Sequence, residues 1–246
     1  MKNSSAAGRL CWLQFVGRGA FLLAACFLLF IIGCRSLAPI EPAAPGLYED
    51  KARRCRDCFL GDSRQLVQSL TAHLPDGDVR DAIAVIRIYP ESRRIRCVIM
   101  SAQGIVLFDG DYDGRVSVRR AVSPFDEKKF ANEIFADIRL ALLPPRGRLL
   151  QAGSLSDSTQ ICRYERKNNE GYYEVRLSEE GSPEIRQYTK GKKLLKTVRL
   201  CYAPACDIAV PGANGKIPSS ITINHHGLFD YRLELQLLET KSLTQD

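Results

Sequence analysis

AIAVIRIYPESRRIRCVIMSAQGIVLFDGDYDGRVSVRRAV (82–122) carries the period-two pattern that sets the architecture. Three runs in it, AIAVIRIY (82–89), RIRCVIM (94–100) and GIVLFDG (104–110), are rich in β-branched residues and separated by short polar turns. That is the signature of strands joined as hairpins. RVSVRRAV (115–122) follows the Asp-Gly turn at 113–114 as a fourth strand.

The pattern changes on either side. Upstream, Asp62 or Ser63 can cap a helix running to His73, with Leu66, Val67, Leu70 and Leu74 on one side and Pro75 ending it. Downstream, Ser123-Pro124 opens the clearest helix, because Ser suits the N-cap and Pro the first turn, with Asp126 and Glu127 at the positive end. Phe130, Ile134, Ile138 and Leu142 recur every four residues, and Ala131, Phe135 and Ala141 broaden the stripe. Pro144-Pro145 stops it.

Beyond the prolines the chain reads as a strand meander. TQICRYER, a turn at Asn168-Asn169-Glu170-Gly171, YYEVRLS, a turn near Gly181, EIRQYT, the Gly191 turn and KLLKTVRLCY follow one another. Ile221-Thr222-Ile223 and FDYRLELQLLE close the series. The expectation is about ten strands and two or three helices: an α+β, mainly β fold built on a large, strongly curved antiparallel sheet.

The N-terminus indicates the compartment. Gly19 to Cys34 is an uncharged apolar run of 16 residues, preceded by Lys2, Arg9 and Arg18 with no acidic residue. It is short for a membrane span, which takes about 20 residues, and has the layout of a secretory signal. Its end, Ile31-Ile32-Gly33-Cys34, resembles the bacterial lipobox, in which the bond before the cysteine is cut and the cysteine acylated. The resemblance implies a signal peptide at 1–33, lipidation of Cys34 and stable attachment to a membrane, since several acyl chains hold where one does not. Arg35 stands where an aspartate retains many such lipoproteins at the inner membrane, so the outer membrane, periplasmic side, is expected. Residues 34–50, rich in Pro and Ala, read as a lipidated tether, 51–240 as the folded domain and 241–246 as a tail.

Without 1–33 the chain keeps 213 residues, enough for one domain with a substantial core, and carries 32 basic against 28 acidic side chains. That mild excess, in an exported protein, gives no reason to expect nucleic acid. Arg93, Arg94 and Arg96, and Lys190, Lys192, Lys193 and Lys196, form local basic runs. They suit a solvated strand face or contact with anionic headgroups.

Besides Cys34, six cysteines follow the signal, an even count suited to disulfides in an oxidising compartment. Cys55 and Cys58, and Cys201 and Cys206, are close pairs and the disulfide candidates, while Cys97 and Cys162 read as buried thiols in strands. A four-cysteine zinc site and a thioredoxin-like pair are the other readings. The second spacing is loose for zinc, and no strand precedes Cys55.

Motifs for catalysis are lacking: no GxSxG elbow, Walker loop or HExxH occurs. His225 and His226, adjacent on a strand, point to opposite faces and cannot easily share a metal. Asp109-Gly-Asp111-Tyr-Asp113-Gly114 copies the start of an EF-hand loop, but Arg120 stands at the twelfth position, where a bidentate glutamate belongs. A hairpin explains the glycine better. No catalytic residue, metal or cofactor is expected.

Taken with the exported leader, MSAQGIVLFDGDYDGRV (100–116), FADIRLALLP (135–144) and the Asn169–Gly171–Tyr172 hairpin resemble the LolA/LolB-type lipoprotein-localisation factors. They are most similar to an uncharacterised LolB-related lipoprotein family found beside aryl-polyene lipid gene clusters. That family's pattern has Gln where this chain has Arg139, and Trp at Leu143. The resemblance implies an incomplete β-barrel with helices over its open face, and an apolar cavity that receives acyl chains. Phe130, Ile134, Ile138 and Leu142 would then face the cavity. A structural or assembly lipoprotein that binds another envelope protein is the second reading.

Overall fold

Buried and accessible side chains alternate along the strands, and the alternation assigns each residue to one face of the sheet. The computed structural model describes residues 37–177, 183–202, 217–227 and 230–244, and those from Ala38 onward form one compact unit. The leader, Cys34, the turn near Gly181 and Cys206 lie outside the described residues. Among the described residues, no helix is long and apolar enough to cross a membrane.

Thirteen strands make one antiparallel sheet. They are β1 (Glu41–Pro42), β2 (Arg64–His73), β3 (Val79–Tyr89), β4 (Arg94–Met100), β5 (Val106–Tyr112), β6 (Val116–Ala121), β7 (Gly147–Ser154), β8 (Gln160–Arg166), β9 (Gly171–Leu177), β10 (Glu184–Thr189), β11 (Leu194–Cys201), β12 (Ser220–His225) and β13 (Arg232–Ser242). The helices are α1 (Pro45–Asp57) and α2 (Lys128–Leu142). The order across the sheet is β1-β7-β8-β9-β10-β11-β12-β13-β2-β3-β4-β5-β6, so the sheet ends at β1 and β6 and is not closed.

Two meanders, β2–β6 and β7–β13, meet where β13 pairs with β2. The link between them runs from β6 at one edge back towards the other, and α2 is that link. It packs against both β6 and β11. Those strands stand seven inter-strand steps apart in the sheet order, about 34 Å in a flat sheet. One helix, about 10–12 Å across with its side chains, can touch both only if the sheet bends into a trough. α1 lies over β7, β8 and β9. The core fills the trough beneath both helices, around Phe108, Phe135, Leu66, Ile86, Leu142 and Val198.

Four differences from the sequence reading have physical causes. Residues 64–73 are strand β2, not a helix. Leu66, Val67 and Leu70 fit a helical stripe, but ten residues pair on each side with β13 and β3, and Leu66 and Gln68 bury on one face with period two. The 34–50 segment is not wholly a tether. Glu41 and Pro42 pair with Ser154 and Gly153, and α1 begins at Pro45 and buries Ala52 and Cys55. Arg163 reaches from β8 to the Ala38 carbonyl (2.7 Å), which fastens this segment to the outer face.

The second helix starts at Lys128, not at Ser123. Successive turns through 124–127 lodge the Phe125 ring against Phe108 (6.4 Å) and Phe130 (5.0 Å) first. Finally, β13 continues through Ser242 into the expected tail, where the Leu243 amide donates to Ser63 O (3.0 Å). Strand β7 carried little signal in its GRLLQAGS sequence. Its glycines are set by contact, because a Cβ on Gly147 would lie 1.8 Å from the Glu165 carbonyl oxygen and one on Gly153 2.0 Å from that of Glu41.

The cysteines also differ from the close-pair expectation. Cys55 bonds Cys162, joining α1 to β8, and Cys58 is a free thiol. Cys55 sits on the inner face of α1 with its Cα 6.3 Å from that of Cys162, within disulfide reach. Cys58 ends the helix, its Sγ donating to Cys55 O (3.2 Å). Cys97 is free and buried as expected, and burial pushes both free thiols up to about 12. Cys201 is disulfide-bonded as well.

The Cys55–Cys162 bridge spans 107 residues, so chain-entropy reasoning gives it about 4–5 kcal/mol of stability. Urea unfolding of Cys162→Ala should show a loss of that order, and reductant should have no further effect through this bridge. An unchanged midpoint would contradict a stabilising role for the bond.

Candidate ligand-binding site

The trough floor can be read row by row from the strand register. In one row Leu66 of β2 stands beside Ile86 of β3 and Cys97 of β4. In the next, Leu237, Gln68, Ala84 and Ile99 run from β13 to β4. Both rows are sealed from solvent. Towards the far end of β2 the next row is Ile221, Leu235, Leu70 and Ala82, and beyond it Ile223, Leu233 and Ala72. In these outer rows Leu235, Leu70, Ala82, Leu233 and Ala72 are only half-buried. Their side chains share the inward face with Leu66 and Leu237. Among the described residues, one continuous, mainly apolar floor is therefore fully buried at one end and half-buried at the other.

Helix α2 shows the same division. Phe135, fully buried, packs against Phe108 (6.0 Å between ring centroids) and Tyr112 (6.1 Å), and Arg139 lies 4.2 Å over the Tyr112 ring. Of the four candidate lining residues, Ile138 and Leu142 belong to this sealed core. Ile134 is half-buried against it, and Phe130 is 38% exposed at the helix start, edge-on to Phe125. The most buried stripe is Ala131, Phe135, Ile138 and Leu142, steps of four, three and four that keep to one side of the helix. Strict steps of four drift round the cylinder, which is why Phe130 leaves the core.

A buried polar cluster holds the helix to the opposite wall. Lys196 of β11 is not part of a solvated face. It stands opposite His225, on the same side as Val198 and Leu200, and points inward. Its Nζ donates to Asp137 Oδ1 (2.5 Å) and Glu133 Oε2 (2.6 Å), and the Tyr231 hydroxyl donates to Asp137 Oδ2 (2.8 Å). Burial pushes the Asp137 carboxyl up, against the pull of Lys196. Burial also works against the Lys196 charge, but the Asp137 and Glu133 carboxylates outweigh it and raise the ammonium above its ordinary value. This cluster was missed in the sequence, where Lys196 looked like one more member of an exposed basic run. Lys190, Lys192 and Lys193 are exposed as expected.

The remaining candidates do not converge. Asp109 pairs with Arg96 (3.2 Å) and Asp111 with Arg119 (2.6 Å), away from the trough. His225 stacks on Tyr231 (5.0 Å between centroids), while His226 Nε2 meets Thr197 Oγ1 (3.0 Å). Among the described residues no group of His, Cys, Asp and Glu is arranged to hold a metal ion.

Removing one member of a buried ion pair leaves an uncompensated charge, at about 3–5 kcal/mol. Lys196→Met should destabilise the chain by that order in urea unfolding, and Lys196→Met with Asp137→Leu should recover most of the loss. Equal losses in the single and double variants would show that the pair is not coupled.

No protein-family model matches the chain, and no curated protein matches it. Among solved structures, the crystal structure of the LolA superfamily protein NE2245 from Nitrosomonas europaea aligns with a TM-score of 0.52 at 13% identity. The alignment covers 81% of this chain and 94% of that one. At that identity the likeness concerns architecture, and the open, curved sheet with its helices across the concave side is a LolA-like fold.

Proposed function

We propose that the chain is a membrane-anchored envelope lipoprotein that binds or transfers a lipid, taking an acyl chain into the accessible end of the trough. The observation that carries this reading is the half-buried apolar floor formed by Leu70, Ala82, Leu233 and Leu235. A filled structural core has no use for such surface facing inward yet reachable from outside. Hydrocarbon moved from water onto it gains about 0.8 kcal/mol per methylene. The site's chemistry is binding, without a catalytic group or cofactor.

The anchor is acylated Cys34, read from the lipobox resemblance of Ile31-Ile32-Gly33-Cys34. It holds the folded domain at the outer membrane, facing the periplasm. The similarity to LolB-related lipoproteins encoded beside aryl-polyene lipid clusters points to an envelope lipid as cargo. A second reading, attachment to another envelope protein without lipid, is favoured by strand β6. It ends the sheet, with Ser117, Val118, Arg119 and Arg120 exposed, and so leaves an edge for strand addition.

Native mass spectrometry of protein released from membranes should show a bound lipid, and Leu235→Glu should lose it while still unfolding cooperatively in urea. A consistently empty protein leaves the edge-binding reading. Cys34→Ala should abolish incorporation of labelled palmitate and move the chain out of the membrane fraction. Retention there with label present would place the acyl group elsewhere.

A further inference from the structure

Gln68 is out of place in the floor it belongs to. It is 1% exposed, and neither its side-chain nitrogen nor its side-chain oxygen has a hydrogen-bond partner. Its cross-strand neighbours are Leu237 and Ala84, and its same-face neighbours along β2 are Leu66 and Leu70. No side chain among these four can donate or accept a hydrogen bond. An apolar residue of similar size would fit this position without leaving a buried donor and acceptor unmatched. The amide lies one row deeper than Leu70 and Ala82, where solvent still reaches the floor, a step of about 7 Å along the strand. It therefore lies where the open part of the trough ends.

Resting on the lipid-binding reading above, we infer that Gln68 is a specificity-determining residue that reads a polar group set within the hydrocarbon of the cargo. The carboxamide offers both a donor and an acceptor, so its complement is a group that does both: a hydroxyl on the acyl chain, or a secondary amide within it. The amide is already covered in this structure, so a chain reaches it only by displacing the side chains above it, and an unsubstituted chain that does so leaves it unmatched. A chain with the matching group satisfies both partners inside an apolar surround, where such pairing discriminates most strongly. The ligand class is therefore a hydroxylated or amide-interrupted acyl chain, in preference to a plain one.

The test compares three probes of equal length: stearate, a mid-chain hydroxystearate and a chain with a mid-chain secondary amide. Equilibrium binding is measured to the full-length chain and to Gln68→Leu. The unaltered protein should prefer at least one substituted probe by about tenfold or more, equivalent to about 1.4 kcal/mol. Whichever probe wins identifies the group. Gln68→Leu should erase or reverse that preference, bind stearate at least as well, and melt at a higher temperature without ligand. A glutamine kept for a structural hydrogen bond predicts the opposite melting shift, so the loss of preference is the readout that decides. The inference is overturned if stearate binds and the unaltered protein shows no preference, or if the preference survives in Gln68→Leu. If none of the three probes binds either protein, the lipid-binding reading falls with it.

Discussion

The bend of the sheet is the constraint from which the rest follows. A flat sheet of this width would expose one whole face and could not let a single helix touch β6 and β11 together. Curling brings those strands to either side of one helix, and the return link between the two meanders then crosses the concave side. The convex side is covered locally by the segment at Ala38, whose carbonyl accepts from Arg163. There the half-buried residues pair in ion networks, as where Arg163 and Arg176 both bind the fully buried Glu174 carboxylate (2.6 Å each). Fold and site are thus one fact: the curvature that makes the chain stable also makes the trough.

Among the described residues, two helices and the link after α1 supply the side chains that lie over the floor. α1 contributes Ala52 and Cys55, and the link after it adds Phe59 and Leu60. α2 contributes its stripe through Phe135 to Leu142. These seal the rows at Leu66 and Leu237, while the rows at Leu70 and Leu233 remain half-covered. Protein interiors pack at crystal density, so a boundary this sharp along one strand reflects where the filling side chains stop. The disulfide and the buried arginine contact to Ala38 fix α1 and the segment before it at the plugged side.

The sequence made the sheet legible where its period was unambiguous. The run from 82 to 122 alternates so plainly that β3 to β6 fall close to their expected bounds. Strand β2 was misread because Leu66, Val67 and Leu70 satisfy both a helical and a pleated pattern, and only the partners, remote in the chain, arbitrate. The Cys55–Cys162 bond was invisible for the same reason. Proximity in sequence favoured Cys58, while the fold turns Cys55 from α1 towards Cys162 of β8. Lys196 illustrates a further limit. Its charge argues for solvent, and only α2, supplying Glu133 and Asp137 from some sixty residues away, makes burial tolerable.

That last contact also bears on how a ligand would enter. α2 is held on two dissimilar walls. On the β5–β6 side the grip is aromatic, through Phe125, Phe108 and Phe135, and such packing falls off gradually as surfaces separate. On the β11 side it is the hydrogen-bonded set of Lys196, Asp137, Glu133 and Tyr231, which is either made or broken. Glu133 is 46% exposed, so the set reaches to the surface while Asp137 stays inside. Separating the polar side would require the Asp137 and Lys196 charges to be hydrated together, a cost that the aromatic side does not carry. Glu133 and Asp137 precede Leu142 on the helix, and the Leu142 carbonyl accepts from the Leu60 amide (3.1 Å), so the end of α2 is held separately from the cluster.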